Sequence, residues 1–89
     1  MNFGEALELL KEGNKVARVG WNGKNMFLYY VPAGRYSAIT EPAKEIAAEQ
    51  EDNLVPYGAY IAMKTAQGNV VPWLASQTDM LAEDWVLVE

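Results

Sequence analysis

The sequence predicts an α+β fold: an N-terminal helix packed on a mainly antiparallel sheet of four to five strands, with a short helix before the last strand. Three observations predict it. An apolar repeat of helical spacing opens the chain, short runs rich in valine and aromatic residues follow, and Gly, Asn or Pro separates those runs. The chain has 89 residues, of which 51% are apolar, and this size predicts one domain over residues 1–89.

The first helix is predicted from Phe3 to Glu12. Asn2 and Glu5 have the spacing of a capping box, in which each side chain accepts a hydrogen bond from the backbone of the other. Gly13 supplies the left-handed residue that ends a helix. The apolar face of this helix consists of four residues: Phe3, Ala6, Leu7 and Leu10.

Two strands are predicted next. The first covers residues 15–19, and a turn over 20–25 leads to the second, over 26–31, which has the strongest β-type composition in the chain. Pro32-Ala33-Gly34 is expected to end it.

The segment from residue 35 to 57 carries the weakest signal. A proline is tolerated at the first position of a helix, so a short helix that begins at Pro42 is predicted over residues 42–49. Residues 50–53 are polar and are predicted to form a mobile loop.

A hairpin is predicted from strands over residues 59–65 and 70–73, joined by a turn at 66–69. Pro72 has no N–H group for a strand ladder, so the second strand is expected to end there or lie at a sheet edge. Two further elements complete the prediction: a short helix capped by Ser76 and reaching about Ala82, and a last strand over 85–88.

Composition excludes several classes of function. The chain has no cysteine and no histidine, which removes disulfides, thiolate zinc sites and the usual general base. Its net charge of −5 argues against nucleic-acid and anionic-membrane partners. No apolar run reaches the ~18 residues of a membrane span and no signal peptide is recognisable, so we expect a soluble intracellular protein. Because the chain is small and cannot form disulfide bonds, oligomerisation is favoured as a further source of buried area.

The segment after the hairpin has the features of a nucleotide site. An indole, Trp73, stands where a strand ends, and Ser76, Gln77 and Thr78 follow at a helix start. Helix starts expose N–H groups that suit phosphates, and an indole can stack a base. Plain capping by the hydroxyl and amide groups, and a helix-dipole role for Asp79, are the alternatives.

A second candidate region is the turn around Trp21, between Gly20 and Gly23. Its indole covers either the edge of the core or a ligand. Asn22 and Lys24 supply an amide and a cation that suit a ribose or phosphate, although the pattern is not a P-loop. The third indole, Trp85, opens an apolar strand and is expected in the core.

Charged residues give weaker signals. Asp79 and Glu83 are four apart, which predicts one shared helix face. Two such carboxylates are either magnesium ligands or solvated surface groups, and because the second is the usual case, no metal site is predicted. Arg18 or Arg35 would clamp a pyrophosphate, and the sequence does not decide between them. Because no nucleophile–base pairing is present, no catalytic residue is predicted, and binding is favoured over catalysis.

Several segments resemble one small phage and prophage family, the second type of Thoeris anti-defence proteins. They are residues 20–24, 26–28 and 60–64, and above all the run from Val71-Pro72-Trp73 to Trp85. Members of that family are sponges that sequester a cyclic nucleotide, which a bacterial TIR-domain enzyme makes from NAD on infection, and so block the Thoeris effector. The resemblance implies glycocyclic ADP-ribose as ligand, typically the 1''–3' isomer, held intact without a cofactor in the cytoplasm of the infected host.

The resemblance further implies tetramers built from dimers, with ligand pockets between protomers. Together with the residue-level argument it marks these ligand-binding candidates: Trp21, Asn22, Lys24, Trp73, Ser76, Gln77, Thr78 and Asp79. Trp73→Ala is predicted to abolish ligand binding in a folded protein. Two alternatives remain open: a protein–protein inhibitor of a host defence factor that uses its exposed aromatics, and a hydrolase of the same signal that uses Asp79, Glu83 or Asp84.

Overall fold

The computed structural model describes residues 1–89 and contains three helices and seven strands. In chain order the elements are α1 (Phe3–Lys11), β1 (Lys15–Arg18), β2 (Phe27–Val31), β3 (Gly34–Tyr36), α2 (Glu41–Ala48), β4 (Val55–Tyr57), β5 (Tyr60–Lys64), β6 (Val70–Pro72), α3 (Gln77–Leu81) and β7 (Trp85–Val88). No helix has the length and apolar character needed to cross a membrane.

Five strands form one antiparallel sheet in the order β6-β5-β2-β1-β7. Val16 in β1 lies opposite Leu28 of β2 on one side and Leu87 of β7 on the other. The predicted α+β architecture is therefore confirmed. Pro72 lies in the edge strand β6, where its missing N–H group costs no ladder bond, as predicted.

The start of α1 forms as predicted. The Glu5 backbone N–H donates to Asn2 Oδ1 at 2.9 Å, and the Asn2 N–H donates to Glu5 Oε1 at 3.0 Å. Gly13 has φ +96°, the left-handed conformation expected at the end of the helix. The helix ends at Lys11, one residue earlier than predicted, because Glu12 serves as its C-cap.

The core lies between α1 and one face of the five-stranded sheet. Its members are fully buried: Ala6, Leu10, Val16, Leu28 and Trp85. Trp85 is the largest of them, which confirms its predicted place in the core. Side chains of a strand alternate between faces, so the register also defines the opposite face. We call it the bare face, and it consists of Lys15, Ala17, Phe27, Tyr29, Val31, Tyr60, Ala62, Lys64, Val70, Pro72, Val86 and Val88.

Residues 33–58 form a separate unit, here called the lobe, in which β3 pairs with β4 and α2 packs on β4. β2 ends before Pro32, as predicted, but Gly34 already begins a further strand, β3, which was not predicted. Only Ala47 and Val55 are buried in the lobe. The molecule is consequently elongated, with a radius of gyration of 15.7 Å, against about 12 Å for a compact domain of this length.

The lobe helix begins one residue earlier than predicted. Thr40 is its N-cap and accepts a hydrogen bond from the Ala43 N–H at 3.3 Å, so Pro42 falls in the first turn, where a proline is tolerated. Residues 50–53, predicted as a mobile loop, form a turn in which the Asn53 N–H donates to the Gln50 carbonyl at 3.2 Å.

Candidate functional site

An aromatic cleft of about 450 Å³ opens between α1 and the end of the sheet where β5 begins. We call it the Trp73 cleft. Its walls are Phe3, Leu7, Lys11, Tyr30, Ala59, Tyr60, Ile61, Trp73 and Ala75. The volume lies within the range of small-molecule sites, and apolar walls with few polar groups are typical of them. Lys11 is the only charged residue among those walls.

Trp73 is held in this cleft by its backbone and its ring. The Trp73 N–H donates to the Ile61 carbonyl at 2.9 Å, just beyond the end of β6. The indole lies 5.8 Å from the Phe3 ring and 6.0 Å from Trp85, edge-on to the latter at 87°. Half-buried packing of this kind fixes an indole without covering it, which a stacking platform requires.

Four wall residues of the cleft were not predicted as site residues from the sequence. Phe3 and Leu7 were assigned only to the core face of α1, and Lys11 and Tyr30 were not considered. A helical signal for three of them was present, because Phe3, Leu7 and Lys11 follow one another at a spacing of four and so share one stripe of α1. Tyr30 comes from a distant strand, and no local pattern connects it to that stripe.

Trp21 lies on the other flank of Trp85 and belongs to a polar network. Its ring is edge-on to Trp85 at a centroid distance of 5.5 Å, and its Nε1–H donates to Asp79 Oδ1 at 3.3 Å. This geometry fits the interpretation of Trp21 as a cover over the edge of the core. Trp21 does not line the Trp73 cleft.

Arg18 is the centre of the network. Its Nη1 donates to Asp79 Oδ1 at 2.8 Å, and its Nε donates to Asp84 Oδ1 at 2.8 Å. The second oxygen of Asp84 accepts the Gly20 N–H at 2.8 Å. One guanidinium thus ties β1 to both ends of the segment that contains α3.

The network shifts the pKa of each of its charged groups. The hydrogen bonds that Arg18 donates to Asp84 and Asp79 raise its pKa. Burial acts to raise the pKa of Asp79, but hydrogen bonds from Arg18, Ser76 and Trp21 outweigh it and leave that pKa below its ordinary value. The Arg18 hydrogen bond likewise lowers the pKa of Asp84. Both carboxylates are therefore ionised near neutral pH.

The start of α3 is a capping box. Ser76 Oγ accepts the Asp79 N–H at 3.0 Å, and Asp79 Oδ2 accepts the Ser76 N–H at 3.4 Å. The Gln77 and Thr78 side chains are exposed beside it.

Because α3 ends at Leu81, Glu83 is not on a helix face with Asp79, and the premise of a carboxylate pair at helical spacing was wrong. No three carboxylates are grouped so as to hold a metal ion.

Asn22 and Lys24 are exposed in the turn between β1 and β2. This turn lies beside the β5–β6 turn, since the Cβ position of Gly23 is 2.9 Å from Ala66 Cβ. The candidates therefore fall into three places within one chain: the turn with Asn22 and Lys24, the network around Arg18, and the Trp73 cleft.

Neither arginine is free in this chain. Besides the Arg18 network, Arg35 binds Asp52 in bidentate fashion at 2.7 and 2.8 Å and Gln50 at 3.2 Å. Hydrogen bonding to Arg35 lowers the pKa of Asp52 to about 2. Lys11 is thus the cation that the fold places at the cleft.

Known proteins resemble this chain over nearly its whole length. A family model described as a Thoeris anti-defense 2-like domain matches residues 1–88. A curated relative, Thoeris anti-defense 2 of Bacillus phage SP01, is 41% identical over 97 aligned residues, which cover 99% of this chain and 94% of the relative.

Proposed function

The chain belongs to the Thoeris anti-defense 2-like family, and on that premise we propose that it binds and sequesters a TIR-derived cyclic nucleotide. The ligand we propose is glycocyclic ADP-ribose, in its 1''–3' isomer. The protein holds it intact in the cytoplasm of the infected host, so that the Thoeris effector is never activated. Family membership supports the anti-defence role, and the Trp73 cleft supports a small-molecule mechanism.

The observation that carries the proposal is the half-buried Trp73 in a cleft of about 450 Å³ with Lys11 as its one charged wall residue. An adenine stacks on the indole, between the apolar walls supplied by Phe3 and Tyr30. The pyrophosphate then lies toward the Lys11 ammonium, where attraction between opposite charges orients it.

Stacking alone does not account for tight sequestration. A nanomolar complex needs about 12 kcal/mol, whereas one base–aromatic contact supplies roughly 1–3 kcal/mol. Ribose and phosphate contacts must supply much of the rest. The polar candidates Asn22, Lys24, Gln77 and Thr78 are exposed and do not line the Trp73 cleft of their own chain. We therefore place them in an interprotomer pocket of a tetramer built from dimers.

The Arg18 network favours a binder over a hydrolase. Asp79 and Asp84 each accept a 2.8 Å hydrogen bond from Arg18. Because their pKa values are lowered, both carboxylates are weaker bases than an ordinary aspartate and are already engaged by Arg18. Asp79 also accepts from Trp21, so its most direct role is to hold that indole in place.

A release experiment tests the proposal. Purified protein is incubated with lysate from cells in which a TIR enzyme has been activated, separated from free small molecules by filtration, and heated. The released nucleotides are identified by mass spectrometry. Intact glycocyclic ADP-ribose in the heated fraction is the expected result, and a lysate without TIR activity is the control.

Two other results would contradict sequestration of the intact ligand. Linear ADP-ribose in place of the cyclic form would mean that the protein is a hydrolase. Unaltered signal left wholly in the filtrate would exclude sequestration, and the exposed Leu74 and Leu81, 91% and 78% accessible, would then direct attention to a protein partner.

A further inference from the structure

The turn between β1 and β2 contains an asparagine followed by a glycine, Asn22-Gly23. Asn22 is the only asparagine of the chain that precedes a glycine. Its side chain is exposed, and the Gly23 N–H donates to no backbone carbonyl. An exposed side-chain amide and a following backbone nitrogen without a ladder bond are free to approach one another.

The residues on either side of this dipeptide are anchored. On one side the Trp21 Nε1–H donates to Asp79 Oδ1 at 3.3 Å. On the other side the Asn25 carbonyl accepts a hydrogen bond from Lys64 Nζ at 3.0 Å. The dipeptide is therefore an exposed bend between two fixed points, and its own atoms are the ones that keep conformational freedom.

The packing of two turns requires a glycine at position 23. A Cβ there would lie 2.9 Å from Ala66 Cβ in the β5–β6 turn, whereas two carbons in contact are normally about 3.5–4.0 Å apart. A glycine also has no side chain to shield its backbone nitrogen from the preceding residue. The fold thus fixes the neighbour that makes the Asn22 side chain chemically labile.

We propose that Asn22 is a deamidation site. The Gly23 backbone nitrogen gives its proton to hydroxide or water and attacks Cγ of the Asn22 side chain. A bond forms between that nitrogen and Cγ, the bond from Cγ to the side-chain nitrogen breaks, and ammonia leaves with a proton from solvent. Water then opens the resulting succinimide ring at either of its carbonyls. Position 22 becomes an aspartyl or isoaspartyl residue, and the net change is replacement of NH₂ by OH.

The product differs from the original turn in charge and in backbone. A neutral amide becomes a carboxylate, which adds a negative charge beside Lys24 to a chain whose net charge is already −5. The isoaspartyl form also inserts Cβ into the main chain between Trp21 and Lys24. The effect on ligand binding rests on the proposed function, in which Asn22 and Lys24 contact ribose or phosphate. There the new carboxylate repels the pyrophosphate, so sequestration weakens as the protein ages.

Tryptic peptide mapping of stored full-length protein tests the proposal. Trypsin cuts after lysine and arginine, so it places Asn22 in the peptide of residues 19–24 and Asn25 in the peptide of residues 25–35. Asn25 is exposed in the same turn but precedes a methionine, and is the matched internal control. After storage at mildly alkaline pH, the mass gain of deamidation is expected in the first peptide and not in the second. Fresh protein, digested in parallel, corrects for deamidation during digestion.

The variant Asn22→Gln tests the chemistry independently, because its longer side chain closes the corresponding larger ring far more slowly. Ion-exchange chromatography is expected to show an acidic form in stored wild-type protein that is lost in the stored variant. An unmodified peptide 19–24, equal deamidation of Asn25, or an equal acidic form in Asn22→Gln overturns the proposal.

These measurements contain no ligand, so they do not depend on whether the nucleotide proposal holds. Titration of the separated acidic form with glycocyclic ADP-ribose then tests the consequence for function. Weaker binding than that of fresh protein is expected, and equal binding would overturn the link between deamidation and sequestration. Failure of fresh protein to bind would instead contradict the proposed function and leave the deamidation result standing.

Discussion

The five-stranded sheet with α1 and the lobe are stabilised in different ways. The first has seven buried residues, Trp85 among them, aromatic packing from Phe3, Trp21 and Trp73, and the Arg18 network. The lobe has two buried residues and one bidentate ion pair whose side chains are more than 40% exposed. Exposed ion pairs contribute little, so most of the stability of the chain resides in the sheet and α1.

The difference also separates two kinds of surface. Around the core the aromatic rings are rigidly placed by neighbours, and this is where the Trp73 cleft lies. The lobe presents Tyr36, Ile39 and Tyr57 with accessibilities from 45% to 88%, and these side chains lack a partner layer within the chain. A rigid platform suits a stacked base, whereas the apolar side chains of the lobe are open to solvent.

Removing the core indole should have the largest effect. Trp85→Ala is expected to destabilise the fold by about 3–5 kcal/mol, a large share of the ~5–15 kcal/mol typical of a whole domain. Val55→Ala in the lobe removes only two methyl groups and should cost far less. Urea denaturation followed by far-UV circular dichroism measures both. Equal losses of stability in the two variants would contradict the contrast between the regions.

Disrupting the Arg18 network should cause the next largest loss of stability, and the size of that loss should depend on pH. The pKa of Asp79 is lowered from 3.8, so its contribution is complete above that value and is lost as the pH falls through the folded-state pKa. Asp79→Asn is expected to lower Tm at neutral pH by roughly 4–8 °C and to flatten the loss of Tm below about pH 4. Glu83→Gln, an exposed change in the same segment, is the control. An unchanged acid profile in Asp79→Asn would show that the network does not stabilise the fold.

The lobe ion pair should have the smallest effect. The pKa of Asp52 is lowered to about 2 by Arg35, but both side chains are largely exposed and screened by solvent. Asp52→Asn is expected to change the global Tm by less than about 2 °C while speeding amide exchange in β3 and β4 alone. Hydrogen exchange resolved by segment measures this. Faster exchange throughout β1 and β2 would mean that the lobe and sheet are more tightly coupled than their packing indicates.

The same contrast explains what could be predicted from the sequence. α1 and the hairpin depend on local signals, such as the Asn2–Glu5 capping box and Gly68 with φ +96° in the turn. β3 could not be predicted, because Gly34–Tyr36 has only three residues. Its partner Val55–Tyr57 is distant in sequence, with the helix α2 and its connecting segments between them.

The candidate site was predictable only where a residue carries a local sequence signal. Trp73 carries a local signal, an indole where a strand ends. Tyr30 comes from β2 and Lys11 from the last turn of α1, and only the tertiary fold brings them to the same cleft. The engagement of Arg18 by two carboxylates near α3 is equally non-local, and no spacing in the sequence indicates it.

Direct binding of purified 1''–3' glycocyclic ADP-ribose to Trp73 variants tests the central claim most directly. Isothermal titration would compare the wild type with Trp73→Ala, with Trp73→Leu, which keeps apolar bulk against Phe3, and with Leu74→Ala as an exposed neighbouring control. The account predicts tight binding by the wild type and Leu74→Ala, and loss of binding in both Trp73 variants while circular dichroism shows them folded. Unchanged affinity in a folded Trp73 variant would remove Trp73 from the site, and absence of binding by the wild type would contradict sequestration itself.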